Sequence, residues 1–328
     1  MATWELRDYD ESFFEKELNS FVPDDIFDAH AHLYRASDWG FDHATDSGPS
    51  IVTMEEFQRQ IDWVTPGRHT SGLFFGVAFN ETFRDANTFV ANEVAKDPAS
   101  LSQMLVSPYL DPEEMREMGR RLGFRGIKVY HSFLREKPTW NADIRQFLIE
   151  DHVRIAHEEG WSITLHIMKA RALADPENQH AIVDYCTRYP NIRMILAHAG
   201  RGFNVHHTIE GIGALRGLQN VWFDTSAVTE VGAFEAIIET MGHERLMWGS
   251  DFPISHLRGR CVAVGDQFLW LYEDTLVWDK VLPHPVQPLL IGHESLRALK
   301  LAATRLKLTD SQIEDIFYRN AVRMFGLR

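Results

Sequence analysis

Two histidines one residue apart, His30 and His32 in Asp28-Ala29-His30-Ala31-His32, are the first residues whose type and spacing could do chemistry. On an extended strand, residues i and i+2 share a face, so both imidazoles can reach one ion. Taken alone the pair is weak, because the chain holds 16 histidines. It gains weight from its company. His166 lies in ITLHI, His198 in MILAH and Asp251 in WGSDFP, each at or just past the end of a separate apolar run, and Lys128 lies in a further run, GIKVY. Imidazole nitrogens with a carboxylate suit Zn2+, Mn2+, Fe2+ or a similar ion. Three histidines and one aspartate, with a coordination position left to water, make a catalytic rather than a structural site. Such an ion brings the pKa of its water from 15.7 to about 7. A histidine left unligated on the same rim, with an ordinary pKa of about 6.5, suits proton transfer. The ordinary alternatives are a strand-end histidine bonded to a loop carbonyl and an aspartate that shapes a turn. Coincidence at the same end of several runs argues for a shared site.

These residues must be brought together by the elements that carry them. Strand-like apolar runs occur at 25–31, 72–79, 101–107, 126–131, 162–167, 193–198, 220–225 and 245–249. Helical periodicity falls between them at about 83–96, 112–121, 142–159, 178–189, 206–217 and 230–242. Asn141 or Asp143 can cap the helix that stops before Gly160, Asp175-Pro176 opens the next, and Asp97-Pro98 and Tyr189-Pro190-Asn191 end others. Eight alternating units predict an α/β fold, a (β/α)8 TIM barrel, whose strands all open on one rim at their C-terminal ends. A doubly wound open sheet is the competing arrangement. The expectation is a single domain over 1–328. Two connections are long: 33–70, with a helix expected at 53–63, and 252–290, with Phe268, Trp270, Tyr272 and Trp278. Both emerge at the active-site face as lids, substrate walls or subunit contacts. The segment with Phe13, Phe14, Leu18 and Phe21 predicts a packing helix ahead of the first strand. His152, His157, His180, His206 and His207 fall on helix candidates and are expected at the surface.

Composition narrows the function classes. Against 33 lysines and arginines stand 47 aspartates and glutamates, a net charge of −14, which argues against nucleic acid as a partner. Cys186 and Cys261 lack CxxC spacing, so neither a thiolate metal cluster nor a disulfide framework is expected. The N-terminus has no apolar signal core and no run is long enough to span a bilayer, so a soluble cytoplasmic protein without a membrane partner is expected. Gly211, Gly213 and Gly217 do not fit GxGxxG, and GxSxG, P-loop and HExxH motifs are missing.

Six stretches, DAHAHL (28–33), GFRGIKVY (123–130), ITLHI (163–167), MILAHAGRG (194–202), LMWGSDFP (246–253) and NAVRMFGL (320–327), together resemble the amidohydrolase superfamily. The resemblance is to the amidohydrolase-related branch that contains aminocarboxymuconate-semialdehyde decarboxylase and several lactone hydrolases, and it runs from residue 25 to 328. It implies a metal-dependent enzyme in which His30, His32, His166 and Asp251 bind one divalent ion, Zn2+ first, with Mn2+ or Fe2+ as alternatives. It implies that His198 acts beside the ion as acid or base and that Asp251 also accepts a proton from water. Lys128 stands where two-metal relatives carry a carbamylated lysine and where single-metal members can turn a lysine to substrate. Some lactonases of the branch work without a metal. Lys169, Arg171, Arg201 and His256, with Arg258, join Lys128 near the rim as candidates for holding a carboxylate, which arginine grips in bidentate fashion. Each is equally readable as a solvated loop charge. The first function is a hydrolase opening a lactone or amide-like bond of a small, anionic, carboxylated metabolite. The second is a nonoxidative decarboxylase of an aromatic or muconate-type acid, and the third a non-catalytic binding protein. The branch's habit implies a homodimer or higher homo-oligomer.

Overall fold

The computed structural model describes residues 4–39, 48–78, 82–274 and 286–327. Eight parallel strands follow the chain: β1 Ile26–His32, β2 Thr70–Phe75, β3 in two pieces (Leu101–Ser102 and Met104–Val106), β4 Gly126–Val129, β5 Ser162–Leu165, β6 Arg193–Leu196, β7 Val221–Asp224 and β8 Leu246–Met247. Each pairs with the next. Gln103 interrupts β3, but its N–H still donates to Phe74 O at 2.9 Å, so the sheet continues across the break. The first and last strands meet as well. Ala29 N–H donates to Trp248 O (2.8 Å), Asp251 N–H to His30 O (2.8 Å) and His32 N–H to Phe252 O (3.2 Å). The result is the expected α/β barrel.

A helix follows each strand: α1 Met54–Ile61, α2 Phe83–Val94, α3 Pro112–Leu122, α4 Glu150–Glu159, α5 Pro176–Arg188, α6 Val205–Gly211, α7 Val231–Met241 and α8 Ile291–Leu306. Helices outside and packed side chains inside bury almost every strand residue, with Phe74, Phe75, Phe223 and Trp248 among the largest. Asp111 and Asp175 cap α3 and α5 ahead of a proline at the first helical position. The expected helix at 142–159 is two helices, Ile144–Phe147 capped by Asp143 and α4 closed by Gly160 in the left-handed region (φ 64°). Two histidines expected at the surface are buried instead. His152 sits on the inward face of α4, with Nε2 2.9 Å from Leu110 O, and His207 of α6 meets Asp266 at 3.0 Å. A helix lying on a barrel buries one stripe whatever residue falls on it.

The two long connections carry structure of their own. The first begins with a ribbon pairing Tyr34–Arg35 with Ile51–Val52 and leads into α1. The second holds an antiparallel hairpin, β9 Gly259–Val264 and β10 Gln267–Tyr272, where only a loop was expected. Phe268, Trp270 and Tyr272 lie on β10; Trp278 lies outside the described residues. Asn204 holds the hairpin tip by donating to Gly265 O (3.1 Å) and Gln267 O (2.7 Å). The N-terminal segment holds its base. Arg258, wholly buried, donates to both oxygens of the equally buried Asp10 (2.9 and 2.5 Å), to Tyr9 Oη (2.9 Å) and to Glu5 O (2.7 Å). The short helix containing Asp10, Asp8–Phe13, continues to Leu18 and packs Phe14 and Leu18 into the core. Both cysteines are buried and free. Among the described residues no helix is long and apolar enough to cross a membrane.

Replacing Asp10 leaves a guanidinium buried without its counter-charge. Asp10→Ala is expected to lower unfolding stability by about 3–5 kcal/mol, read by urea denaturation. A loss below about 1 kcal/mol, the range of exposed pairs, would show that the pair is not what holds the hairpin base.

Candidate active site

The C-terminal strand ends bring polar side chains to one rim. From β1, His30 Nδ1 lies 2.9 Å from Asp224 Oδ2 and His32 Nδ1 3.4 Å from Gly76 O. A carboxylate and a carbonyl both accept, so each ring carries its proton on Nδ1 and keeps a bare Nε2. Each Nε2 stands 3.4 Å from Asp251 Oδ1. Asp251 follows β8 in a left-handed conformation (φ 57°). Gly249 lets that segment come close, since a Cβ there would lie 3.0 Å from His30 Cβ.

Past β6 the chain makes an unusual turn. His198, Ala199, Gly200 and Arg201 all have φ between 53° and 67°, and Gly202 N–H closes the turn on His198 O at 2.7 Å. Left-handed backbone costs about 1–2 kcal/mol for each residue with a Cβ, and such strain collects at functional sites. Asp224 Oδ1 anchors the turn by accepting His198 N–H at 2.8 Å. The His198 ring centroid then lies 4.9 Å from those of both His30 and His166, with Nδ1 3.9 Å from Asp251 Oδ2. His166 follows β5 and stands one ring beyond the tight group of His30, His32 and Asp251, whose ligand atoms lie within 4.8 Å of one another. Its Nδ1 is buried without a hydrogen-bond partner among the described residues. Two bare imidazole nitrogens, a carboxylate and an orphaned imidazole nitrogen are a donor set that fits a divalent ion.

Electrostatics favour the same protonation states. Burial holds His30, His32 and His166 below the usual imidazole range, with Lys128 adding to the effect at His30 and His198 at His166. Burial opposes the charge of Asp251, but His198, His32 and His30 outweigh it and hold the carboxyl below its ordinary value. Lys128 is fully buried, its pKa pushed down to about 7 by burial against the pull of Asp224 and Asp251. Its Nζ lies 3.2 Å from His30 Nε2 and 4.2 Å from the centre of the Phe75 ring.

The remaining candidates divide by their partners. Lys169 is paired with Glu177 and lies 3.8 Å from Asp175; Arg171 pairs with Glu210 and lies 3.7 Å from Asp266. His256 is not brought to the cluster. It is wholly buried, with Nε2 2.8 Å from Gln60 O and its ring packed on Trp4, Trp63 and Phe252, and burial pushes its pKa down to about 3. That ring braces the loop after β8 from within. Arg201 differs from both groups. Burial holds it below the usual guanidinium range, it contacts Met168 Sδ (3.3 Å) and the Phe268 ring (5.3 Å), and it has no ion-pair partner among the described residues. Phe203 continues this wall from His198 (5.3 Å) to Phe268 (5.1 Å) and Trp270 (5.3 Å) of the hairpin.

Sequence reasoning passed over three participants. Asp224 closes β7 as the other polar residues close theirs, a signal that was present and unused. Ser226 Oγ lies 2.9 Å from His198 Nδ1. Asp28 Oδ1 accepts from His30 N–H (3.0 Å) and Ser250 N–H (2.9 Å), and burial pushes its carboxyl up to about 7.

Comparison with known proteins agrees with this geometry. Over 175 residues the chain is 25% identical to an L-fucono-1,5-lactonase from Burkholderia ambifaria, covering 49% of this chain and 56% of the lactonase, so the match spans little more than half of that relative. Over 225 residues it is 24% identical to a gamma-resorcylate decarboxylase from Polaromonas, covering 54% of this chain and 68% of the decarboxylase. In fold it is similar to the crystal structure of an amidohydrolase from Burkholderia multivorans with bound HEPES (TM-score 0.62, 16% identity, 93% of this chain and 100% of that one). A second crystal form of that amidohydrolase, with bound zinc, gives a TM-score of 0.60 at 15% identity over 93% of this chain and 100% of that one. The amidohydrolase family matches residues 27–327, nearly the whole of the barrel and its rim, and the chain belongs to that family of metal-dependent enzymes.

Proposed function

We propose that this chain is a hydrolase that opens a lactone or amide-like bond of a small, carboxylated metabolite at one divalent ion, zinc in the first place. The observation that carries the reading is the convergence of His30 Nε2 and His32 Nε2 on Asp251 Oδ1, with His198 3.9 Å from the other carboxylate oxygen. His30, His32, His166 and Asp251 would hold the ion. When bound, it polarises the substrate carbonyl and brings the pKa of a water to about 7. Asp251 takes the proton of the attacking water. His198, the unligated imidazole beside it, would take up that proton at its bare Nε2 and pass it to the leaving oxygen or nitrogen. Arg201, desolvated and without a carboxylate among the described residues, holds the substrate's anionic group, and Phe203 and Phe268 line the way to it. Lys128 lies too deep, against His30 and Phe75, to meet more than the reacting end of a substrate.

Decarboxylation of an aromatic or muconate-type acid is the second reading, favoured by the match to gamma-resorcylate decarboxylase. There His198 would take a proton from water at its bare Nε2 and give it to the carbon that loses CO2. Product analysis separates the two, because only the second releases CO2.

Elemental analysis of the purified protein is expected to give about one equivalent of metal per chain. Two equivalents would assign Lys128 to a carbamate bridge, and none, with activity intact, would overturn the metal reading. His198→Asn is expected to lower kcat by about 10²–10⁴-fold with metal content unchanged; full activity would remove His198 from the chemistry. Arg201→Ala is expected to raise KM for carboxylated substrates by about 10–100-fold, the worth of a charge-assisted hydrogen bond. Neutral analogues should be affected far less, and an equal loss for both would release Arg201 from anion recognition.

A further inference from the structure

Asp224 is wholly buried, and both of its oxygens are in use. Oδ2 faces His30 Nδ1 at 2.9 Å. Oδ1 accepts His198 N–H (2.8 Å), Ser226 N–H (3.2 Å) and the Ser226 hydroxyl (2.5 Å). No other described carboxylate touches both a ligand candidate and the backbone of the proton carrier. We propose that Asp224 is a positioning residue that sets the tautomer of His30 and pins the turn bearing His198, so that metal ligand and proton carrier keep a fixed relation. This rests on the reading of His30 as ligand and His198 as proton carrier.

The tautomers follow from counting protons. An ionised carboxylate can only accept, so the proton between Asp224 and His30 belongs to His30 Nδ1, and Nε2 keeps the lone pair that a metal ion requires. Ser226 gives its single hydroxyl proton to Asp224. Toward His198 Nδ1, 2.9 Å away, that hydroxyl can then only accept, as can the Ser226 carbonyl at 3.0 Å. Two acceptors facing one ring nitrogen place a proton there, and His198 also presents a bare Nε2. One strand end thereby puts two catalytic rings in the same protonation pattern.

His30, His198 and Asp224 also lie close enough to be read as a metal-binding group in their own right. Their hydrogen bonding argues otherwise. Both facing ring nitrogens carry protons, and Asp224 already accepts from four donors. An ion there would have to displace the His30 Nδ1 proton from Oδ2 or compete with three donors at Oδ1, so Asp224 orients a ligand and is not one.

The isosteric change Asp224→Asn tests this. An amide keeps an acceptor for His198 N–H and Ser226 but presents NH2 to His30. That forces His30 Nδ1 to accept and moves the ring proton to Nε2, where it blocks coordination. In 15N-histidine spectra of chelator-stripped protein at neutral pH, wild type is expected to show His30 and His198 as Nδ1–H tautomers. Asp224→Asn is expected to turn His30 to Nε2–H and to leave His198 unchanged, because the Ser226 carbonyl still faces it. Zinc affinity, measured by competition with a chromophoric chelator, is expected to fall about 10–100-fold. Ser226→Ala is expected to leave the His30 tautomer and zinc affinity at wild-type values. An Nε2–H His30 in wild type overturns the proposal even where the variant does not fold. So does an Asp224→Asn protein with an unchanged His30 tautomer, whether zinc binding is kept or lost, loss with that tautomer marking Asp224 as a ligand. A Ser226→Ala protein with the same zinc defect also overturns it. Tautomers are read without substrate, so failure to find a hydrolysed bond would defeat the proposed function and leave this test standing.

Discussion

The seam between the first and last strands is the constraint on which the site depends. β1 and the segment after β8 are joined by backbone hydrogen bonds from Ala29 to Trp248, from Asp251 to His30 and from His32 to Phe252. The Asp28 carboxylate stitches the same seam a second time, through His30 N–H and Ser250 N–H. A barrel that closes here must bring the two histidines of β1 against Asp251, which is more than 200 residues away in sequence. The same backbone bonds that remove the sheet edges also fix the distances among the three side chains. Gly249 is part of this constraint, since a side chain there would meet His30 before the strands could approach.

Around that seam, acceptors are placed so that the rings of His30, His32 and His198 are not free to choose their tautomer. Gly76 O, Asp224 and Ser226 each face an Nδ1. The bare Nε2 atoms of His30 and His32 turn to Asp251. Burial then keeps His30, His32 and His166 neutral, and the surrounding histidines keep Asp251 ionised. Neutral imidazoles around an ionised carboxylate form the state in which lone pairs are available to an ion. The strained turn at His198–Arg201 belongs to the same arrangement. Its cost in backbone energy is offset by the Asp224 bond to His198 N–H, and its result is an imidazole and a guanidinium, the latter without an ion-pair partner among the described residues, leaving the same strand end.

The barrel was legible because its strands are apolar on both faces and its helices carry strong caps, so that Asp143, Asp175 and Gly160 marked boundaries that the structure keeps within a few residues. The rim residues were legible because they are polar where an apolar run ends. Asp224 carried that same signal and was missed, since a ligand set already looked complete without it. His256 shows the reverse failure. A histidine near the rim in sequence is drawn into an aromatic sandwich by Trp4 and Trp63, contacts made by segments far away in the chain. The hairpin Gly259–Tyr272 was hidden for a related reason. Its strands are half exposed and lie outside the repeating unit, so their pattern reads as loop. Burial of His152 and His207 likewise depended on which stripe of a helix met the barrel, which composition does not state.

Lys128 decides how many ions the rim can accommodate. A bridging carbamate needs a neutral amine, and a fully buried lysine whose pKa burial has pushed down to about 7 supplies one at neutral pH. The amine alone is not enough, because a second ion would also need a further ligand, for which His198 is the neighbouring imidazole. His198 Nδ1 is taken by the Ser226 hydroxyl and carbonyl and its backbone is pinned by Asp224, which leaves Nε2 as the one ring nitrogen it could offer. Asp224 already accepts from three donors at Oδ1 and from His30 at Oδ2. Lys128 is itself directed at His30 Nε2, 3.2 Å away, over the Phe75 ring. To bridge two ions Lys128 would have to leave that contact, so the number of ions bound reads whether it stays a buried, partly neutral amine beside His30 or becomes a carbamate.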